Sequence, residues 1–378
     1  MTDELLDGFL NEPLNESLDE LLNELLGAGP FSLAQKEKKP LLTAALARLT
    51  VHHYENCPQY RGMLDAIGFD PRRLADYHDL PPLPARLFKE LTLKSVKDED
   101  VFKTVTSSGT TGQTPARIYL DRATAALQQK ALVKTVSAFL GSARAPMIII
   151  DCPSVVKDRR MFSARGAGIL GFSIFGSDRF YALSDEMKLD VDGLTAFLAK
   201  HRGKRILLFG FTFMVWRHFY AELKKLPAKI DLSEGILFHG GGWKKLADER
   251  VAPAVFKAEL RAATGLTRVH DYYGMVEQAG SVYIECERGH LHASVFSDVI
   301  TRGANDLAVL GFGETGVVEV VSALPRSYCG HALLTEDEGV ILGEDDCPCG
   351  RLGKFFKITG RLKNAEIRGC SDTYASKF

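Results

Sequence analysis

Apolar and polar residues follow two alternating patterns along the middle of this 378-residue chain. Short, almost wholly apolar runs are typical of strands buried on both faces, and they lie within residues 147–150, 205–209 and 235–238. Apolar residues at helical spacing occupy the segments around these runs, at 121–140, 191–202, 213–225 and 246–264. Strands that alternate with helices predict a parallel sheet flanked by helices, so the predicted fold class is α/β.

The pattern changes near residue 280, where the helical signal fades. Short β-rich runs at 317–321, 331–335 and 339–342 predict a smaller, β-rich lobe, and helical spacing covers 34–67. We therefore predict a helical region packed on the main domain, an α/β core, a small β-rich lobe, and a hinge remnant with a C-terminal tail, at 1–100, 101–280, 281–359 and 360–378.

The first 35 residues contain no Lys or Arg and predict an acidic amphipathic helix. Its leucines recur at helical spacing, at Leu14, Leu18, Leu21, Leu22 and Leu25. We favour a helix that buries this stripe on its own domain, because most amphipathic helices do so. The alternative is a helix that docks on a partner with a basic, apolar groove.

The composition is that of an ordinary globular protein, with 46% hydrophobic and 25% charged residues. A net charge of −1 gives no sign of the broad basic surface that nucleic-acid-binding proteins present. No apolar run is long enough to span a bilayer, and the N-terminus does not resemble a signal peptide. The seven cysteines are irregularly spaced, which argues against a disulfide framework. We expect a cytoplasmic protein with no nucleic-acid partner and no membrane span.

A loop rich in hydroxyls and glycines lies between two strand-like segments, 103–106 and 117–120. Glycines let the backbone fold tightly, and hydroxyls with free N–H groups can wrap an anion. A P-loop is excluded, because no Lys follows Gly112 and a strand, not a helix, comes next. A plain hairpin is disfavoured by the length and order of the motif. The candidate phosphate-binding residues are Thr106, Ser107, Ser108, Gly109, Thr110, Thr111 and Gly112.

The segment 107–112 closely resembles the phosphate loop of the adenylate-forming superfamily, which includes acyl-CoA synthetases and peptide-synthetase adenylation domains. That family often has a Lys shortly after the second Gly, where this chain has Gln113-Thr-Pro-Ala-Arg117. The phenylacetate-ligase branch also lacks the Lys. The resemblance implies ATP as a substrate and Mg²⁺ as a cofactor.

Two further segments resemble motifs of the same family. Asp271-Tyr-Tyr-Gly-Met-Val-Glu277 is similar to its Tyr-Gly-x-Thr-Glu element, with Val276 in place of Thr. The resemblance implies that Tyr273 stacks on adenine and that Glu277 binds Mg²⁺. Phe238-His-Gly-Gly-Gly-Trp-Lys244 is similar to its adenine-side loop, formed by Gly240, Gly241 and Gly242. An esterase oxyanion hole is the rival interpretation, and the absence of a Gly-x-Ser-x-Gly elbow rejects it.

Two later segments follow in the family's order. Thr335-Glu-Asp337 stands where the family has Thr-Gly-Asp, which implies that Asp337 binds the ribose hydroxyls; a carboxylate is suited to accept both O–H bonds. Gly360-Arg361 resembles the hinge element that precedes the family's mobile C-terminal domain, and Arg361 would contact ribose or phosphate. Few residues follow the hinge, so we expect that domain to be absent.

This short ending narrows the resemblance to the acyl-protein synthetases (long-chain-fatty-acid–protein ligases) of the bacterial luminescence fatty-acid reductase complex. That family carries an acyl-accepting Cys near its end, which corresponds to Cys370. Segments 83–89 and 240–244 and the Val276-Glu277 pair also match it. The resemblance implies that a carboxylic acid, most simply a fatty acid, is activated to acyl-AMP. It also implies transfer to Cys370 as a thioester and then to a partner reductase or carrier protein.

Two alternatives stay open. In one, an adenylating ligase delivers its acyl or aryl group to coenzyme A or a carrier protein, and Cys370 is incidental. In the other, a catalytically silent member serves as a scaffold for a reductase. Aromatic residues at 209–213 and Trp216 either line the acyl pocket or belong to the core.

A cysteine and histidine pattern predicts a metal site in the β-rich lobe. Cys286 and His292 lie in one short segment, and Cys347 and Cys349 form Cys-Pro-Cys-Gly-Arg. Three thiolates and an imidazole suit tetrahedral Zn²⁺, and the arrangement resembles the structural zinc site of phenylacetate–CoA ligase-like proteins. We place His292 ahead of His290 as the fourth ligand. The alternative is a set of unligated cysteines with both histidines exposed.

Overall fold

A computed structural model describes residues 17–107, 115–157, 164–243 and 249–362. These residues form two compact units, each assembled from separate parts of the chain. Unit 1 takes its described residues from 17–106, 115–135 and 274–362, and unit 2 takes its own from 107 and 136–273.

The strands in chain order are β1 (Leu83–Pro84), β2 (Lys103–Thr106), β3 (Arg117–Leu120), β4 (Ala145–Ile150), β5 (Gly176–Tyr181), β6 (Ile206–Phe211), β7 (Gly235–Gly240), β8 (Arg268–Tyr273), β9 (Tyr283–Glu285), β10 (Leu291–His292), β11 (Ser297–Arg302), β12 (Thr315–Ser322), β13 (Ala332–Glu344) and β14 (Lys354–Arg361). The α-helices are α1 (Leu18–Gly27), α2 (Gln35–Asn56), α3 (Pro58–Ala66), α4 (Arg122–Leu140), α5 (Ser154–Lys157), α6 (Ala164–Phe172), α7 (Val191–Lys200), α8 (Thr212–Met214), α9 (Ala221–Leu223) and α10 (Pro253–Thr264). A π-helical turn, Val215–Tyr220, joins α8 to α9.

Unit 2 is built on a parallel sheet in the order β5-β4-β6-β7-β8. Every residue of β4, β6 and β7 is buried. Helices cover a parallel sheet on its faces, which is why these strands appear in the sequence as continuous apolar runs. The predicted α/β core is confirmed, and the strands lie where the apolar runs predicted them.

Unit 1 contains a mainly antiparallel sheet in the order β11-β12-β13-β14-β10-β9, with β1 parallel to β13. The separate hairpin β2–β3 also belongs to this unit. The predicted runs at 331–335 and 339–342 are one strand, β13, whose pairing is interrupted by irregularities. The acidic segment between the two runs therefore stays in the sheet instead of forming a turn.

Helix α1 buries its leucine stripe within unit 1. Leu21, Leu22, Leu25 and Leu26 lie in one core cluster with apolar residues of α2 and of the strands around residue 320. Ser17 and Glu20 form a capping box at the start of the helix, which satisfies backbone donors there. The favoured interpretation, a helix packed on its own domain, is confirmed; Leu14 lies outside the described residues.

The remaining helices follow the predicted pattern with shifted ends. The segment at 34–67 forms α2 and α3, and the segment at 213–225 corresponds to α8, the π-helical turn and α9. The helix predicted from residue 246 is described only from Pro253, whose fixed φ suits a first helical position. Within the described parts of the chain, no helix combines the length and the apolar character needed to cross a membrane.

Candidate functional site

The predicted phosphate loop joins the two strands of the hairpin β2–β3. Thr106 pairs with Arg117 across the hairpin, and the next element after β3 is helix α4. The motif therefore lies between two antiparallel strands, as predicted, and it does not open a helix as a P-loop does. Thr106 and Ser107 are half-buried. Ser108, Gly109, Thr110, Thr111 and Gly112 lie outside the described residues.

The predicted adenine-side loop begins where strand β7 ends. A Cβ atom added at Gly240 would lie 2.7 Å from the carbonyl oxygen of Tyr272. At Gly241, where φ is +79°, an added Cβ would lie 2.5 Å from Cδ1 of Phe211. Gly242 also has a positive φ of +62°, but its added Cβ would meet no atom within 4 Å. Glycine is thus required at the first two positions by close contacts and at the third by backbone conformation alone.

A threonine and a histidine fasten the start of this loop to strand β6. The Oγ1 of Thr212 donates to the carbonyl oxygen of Gly240 at 3.1 Å and lies 3.0 Å from Nδ1 of His239. Burial lowers the pKa of His239 to about 3, so its imidazole is neutral at pH 7. The sequence analysis did not single out Thr212. Its only sequence signal is a hydroxyl directly after a buried aromatic strand.

The predicted adenine-stacking residue, Tyr273, is the last residue of strand β8. Gly240 and Tyr272 are partners in the parallel pairing of β7 with β8. The glycine loop and Tyr273 therefore leave the same edge of the sheet, at the carboxyl ends of adjacent parallel strands. Ligands of open α/β sheets bind at this edge, so unit 2 presents a suitable place for the flat face of a base.

Glu277, the predicted magnesium ligand, belongs to unit 1 and lies in the short turn Val276–Gln278. Its side chain is buried. The turn is attached to strand β12, because Nε2 of Gln278 donates to the carbonyl oxygen of Val320 at 2.9 Å and the hydroxyls of Ser281 and Ser322 lie 2.7 Å apart. This attachment gives a buried carboxylate a defined backbone position.

The predicted ribose and hinge residues are neighbours in the sheet of unit 1. Asp337 on β13 pairs with Arg361 on β14, and their Oδ1 and Nε atoms lie 3.2 Å apart. Nη2 of Arg361 also donates to Oε2 of Glu336 at 2.9 Å. Thr335 accepts a bond from the Asp337 amide at 3.1 Å and donates to Val318 at 2.7 Å. Two motifs that the sequence treats separately thus form one charged group.

Cys370, the predicted acyl acceptor, lies outside the described residues. The aromatic residues considered for an acyl pocket are buried: Phe209, Phe211 and Phe213 belong to the core. The ring of Phe209 stacks on Phe172 with centroids 4.3 Å apart, and Trp216 stacks on Tyr220 at 4.5 Å. These rings pack against protein in unit 2, as expected for core residues.

The predicted metal ligands come together in unit 1. Cys286 follows β9, His292 ends β10, and Cys347 and Cys349 lie in the turn between β13 and β14. Their ligand atoms all lie within 4.8 Å of one another. The sulfurs of Cys286 and Cys347 are 4.0 Å apart, and the Cys349 sulfur is 3.3 Å from Nε2 of His292. Tetrahedral Zn–S and Zn–N bonds place ligand atoms about 3.4–3.8 Å apart, so this donor set fits zinc.

Burial determines the protonation states of the ligands in this cluster. Burial raises the pKa of the Cys347 thiol to about 12 and also raises the pKa of Cys286. Burial lowers the pKa of His292 to about 4, which keeps its imidazole neutral and able to ligate. His290 lies outside the four-membered set, although its Nδ1 is 3.4 Å from the Cys347 sulfur. A bound Zn²⁺ would offset the cost of ionising several buried thiols together.

The chain matches a family model described as "Acyl-protein synthetase, LuxE" over residues 11–378. The chain belongs to this family. Among curated relatives of this LuxE-family chain is the long-chain-fatty-acid–luciferin-component ligase of Vibrio harveyi, with 23% identity over 369 residues that cover 92% of this chain and 91% of the relative. A phenylacetate-coenzyme A ligase of Thermus thermophilus is 34% identical over 88 residues, 22% of this chain and 20% of the relative.

Solved structures with a similar fold are adenylate-forming ligases. An open conformation of 2-hydroxyisobutyryl-CoA ligase, in complex with 2-HIB-AMP and CoA, has a TM-score of 0.67 and 14% identity. The match covers 88% of this LuxE-family chain and 71% of that chain. The fold is thus that of adenylate-forming ligases, as predicted. The family, with which the fold agrees, assigns the chain to the AMP-forming ligases and gives it acyl-protein synthetase activity.

Proposed function

We propose that this enzyme activates a fatty acid with ATP and transfers the acyl group, through Cys370, to a protein acceptor such as a reductase or carrier protein. The observation that carries this proposal is the match with the Vibrio harveyi ligase along 92% of the chain. That relative's name gives a long-chain fatty acid and a luciferin component as the two partners that it joins. The family model matches residues 11–378 and therefore includes all the segments proposed to act.

In the first step, a carboxylate oxygen of the acid attacks the α-phosphorus of ATP, and pyrophosphate leaves. We assign the phosphates to the loop at 106–112, the adenine to Tyr273 and Gly240–Gly242, and the ribose to Asp337 and Arg361. Glu277 would hold Mg²⁺, which neutralises charge on the phosphates when it is bound. A buried carboxylate in a turn attached to β12 supports this role, because a metal ligand must be held in position.

In the second step, the Cys370 thiolate attacks the acyl carbon of the acyl-AMP, and AMP leaves with the electron pair of the broken C–O bond. A nucleophile of the acceptor protein then attacks the thioester carbon, and the Cys370 thiolate leaves as the C–S bond breaks. The thiolate is the competent nucleophile, and Arg368 nearby in the sequence favours ionisation of the thiol.

Covalent labelling tests the second step. Wild-type protein is incubated with ATP and a radioactive long-chain fatty acid, and label that survives denaturation but is released by hydroxylamine is counted. We expect Cys370→Ala to lose this label, and Cys152→Ala to keep it, because Cys152 is a buried cysteine of unit 2 outside the metal cluster. Undiminished labelling of Cys370→Ala would refute the acyl-acceptor role.

Delivery to coenzyme A is the second candidate, and the local similarity to phenylacetate-coenzyme A ligase favours it. A fatty-acid panel in the ATP–pyrophosphate exchange assay establishes whether the first step occurs and with which acids. Added coenzyme A then separates the two acceptors. Rapid formation of free acyl-CoA by both wild type and Cys370→Ala would replace the protein-acceptor proposal, whereas no acid-dependent exchange at all would leave a scaffold.

We further propose that Cys286, His292, Cys347 and Cys349 hold a structural zinc ion. Three sulfurs and one imidazole nitrogen within 4.8 Å support this assignment. Zinc analysis of protein purified without added metal tests it, and a content below about a tenth of an equivalent would contradict it.

A further inference from the structure

A short segment of unit 1, Ser327–Gly330, lies between the predicted phosphate hairpin and the turn that carries Glu277. Its main chain is bonded on one side to residues 93–95: the Ser95 amide donates to Ser327 at 2.8 Å, and the Cys329 amide donates to Leu93 at 3.3 Å. The Ser327 hydroxyl donates to the carbonyl oxygen of Tyr119 at 2.8 Å. Because Tyr119 is part of β3, the segment is attached directly to the hairpin β2–β3.

The other end of the segment touches the backbone of Glu277. The Gly330 amide donates to the carbonyl oxygen of Tyr328 at 2.8 Å, which closes a tight three-residue turn. A Cβ atom added at Gly330 would lie 2.6 Å from the carbonyl oxygen of Glu277 and 2.3 Å from the Tyr328 ring. Only glycine permits this approach, so the main chains at 277 and 330 are packed directly on each other.

Tyr328 and Gln128 enclose the same turn from the side. Both side chains are buried, and Nε2 of Gln128 donates to the Tyr328 hydroxyl oxygen at 2.9 Å. Gly280, three residues after Glu277, has a φ of +89°, and a Cβ added there would lie 2.7 Å from the Gln128 carbonyl oxygen. Helix α4, which carries Gln128, therefore packs against the Glu277 turn through backbone as well as side chain.

We propose that Tyr328 and Gln128 are positioning residues that fix the turn carrying Glu277 for its cation, and that Ser327–Gly330 couples this turn to the phosphate hairpin. This inference rests on the proposed function, since it takes Glu277 as the Mg²⁺ ligand. The physical reason is that residues around a metal ligand fix its orientation, and their loss typically lowers metal affinity or activity by about tenfold or more. A ligand already oriented gives up less conformational freedom when the cation binds.

The test compares two substitutions that make the same chemical change. Tyr328→Phe removes the hydroxyl that is bonded to Gln128, and Tyr283→Phe removes that of an equally buried tyrosine in the same unit, which donates to the carbonyl oxygen of Asp298 at 3.1 Å. Acid-dependent pyrophosphate exchange is measured across Mg²⁺ concentrations at saturating ATP and acid. We expect Tyr328→Phe to raise the half-saturating Mg²⁺ concentration about tenfold and Tyr283→Phe to leave it unchanged.

A merely structural role would lower the melting temperature of both variants without changing their Mg²⁺ dependence. An unchanged half-saturating concentration in Tyr328→Phe would therefore overturn the inference. Gln128→Met, which removes the amide donor at similar size, is the second variant if Tyr328→Phe is unstable. It should raise the same constant several-fold, and adding it to Tyr328→Phe should have little further effect, because the two groups act as one unit.

Glu277→Gln separates failure of the inference from failure of the proposed function. If this variant shifts the Mg²⁺ dependence and Tyr328→Phe does not, only the positioning role fails. If Glu277→Gln leaves the dependence unchanged, the magnesium role of Glu277 fails and the inference with it. Mn²⁺ binding to the ATP-loaded protein, followed by electron paramagnetic resonance, gives the same comparison without turnover, and equal Mn²⁺ affinity in wild type and Tyr328→Phe would overturn the positioning role.

Discussion

The two units build their candidate sites by opposite means. In unit 2 the glycine loop after β7 depends on the absence of side chains, because a Cβ atom added at Gly240 or Gly241 would lie under 3 Å from neighbouring residues. In unit 1 the sites depend on particular side chains, namely the paired charges of Asp337 and Arg361 and the cysteine and histidine cluster. We therefore expect unit 2 to be sensitive to added volume and unit 1 to lost charges and ligands.

Loss of a metal ligand in unit 1 should have the largest effect. We expect Cys347→Ser to lose bound zinc and to lower the free energy of unfolding by about 4 kcal/mol or more, because zinc binding contributes directly to folding. Thermal unfolding and zinc analysis measure the two effects. Cys152→Ser, in unit 2, is the control and should keep its zinc. A Cys347→Ser protein with unchanged zinc content and melting temperature would argue that the cluster binds no metal.

The glycine loop offers a matched pair for added volume. Gly241→Ala would press a Cβ to 2.5 Å from Phe211, whereas the Cβ of Gly242→Ala would meet nothing within 4 Å. We expect pyrophosphate exchange to fall about 100-fold in Gly241→Ala, because a displacement of about 1 Å can cost that much. Gly242→Ala should lose only about 1–2 kcal/mol of stability, from its left-handed backbone. Equal losses of exchange in the two variants would contradict this difference between the two positions.

The charged pair of unit 1 should respond to a change of charge without a change of size. Asp337→Asn weakens the bond to Arg361 and replaces one of the two oxygens proposed to accept from the ribose with an amide donor. We expect the KM for ATP to rise about tenfold, in keeping with a hydrogen bond to a charged group. Glu338→Gln is the control, because Glu338 pairs with Gly360 and not with an arginine. Steady-state kinetics measure this KM. An equal rise of the KM in both variants would show that the loss of one negative charge matters and that Asp337 has no special role.

Acid should weaken both units through buried histidines. Burial lowers the pKa of His331 in unit 1 to about 3 and that of His239 in unit 2 to about 3. The unfolded pKa is about 6.5, so each contribution is complete above pH 6.5 and is lost as the pH falls towards 3. The slope is about 1.4 kcal/mol per pH unit for each histidine.

Urea unfolding between pH 7 and 5 tests this expectation. His331→Gln and His239→Gln, which lie in different units, should each lower the slope of the unfolding free energy against pH by the contribution of one proton. If neither variant changes the slope, burial does not keep these imidazoles neutral.

Local sequence patterns predicted the elements of unit 2 well and those of unit 1 less well. The buried strands β4, β6 and β7 were predictable because a parallel strand covered on both faces is apolar throughout. Strand β14 was missed, since its later residues alternate between exposed and half-buried positions and carry charges. The acidic centre of β13 was also missed. Glu338 pairs with both β12 and β14 and Asp337 pairs with β14, and this pairing keeps the chain extended.

The residues of the candidate sites also differ in how far the sequence predicted them. The sequence predicted Cys286, His292, Cys347 and Cys349 as one ligand set, and the antiparallel pairing of β10 with β9 and β14 is what brings these residues together. Tyr328 carried no sequence signal, because Gln128, which donates to its hydroxyl, lies far from it along the chain. No local pattern records such a contact.

By itself, the sequence determined the α/β core, the strand–loop–strand setting of the phosphate motif and the family of the enzyme. These depend on apolar periodicity and on short motifs, which act over a few neighbouring residues. The tertiary structure alone decided that Asp337 meets Arg361 and that Gln128 and Tyr328 enclose the turn of Glu277. Contacts of this kind depend on strand register and on close packing between distant segments, and these arise only when the whole unit folds.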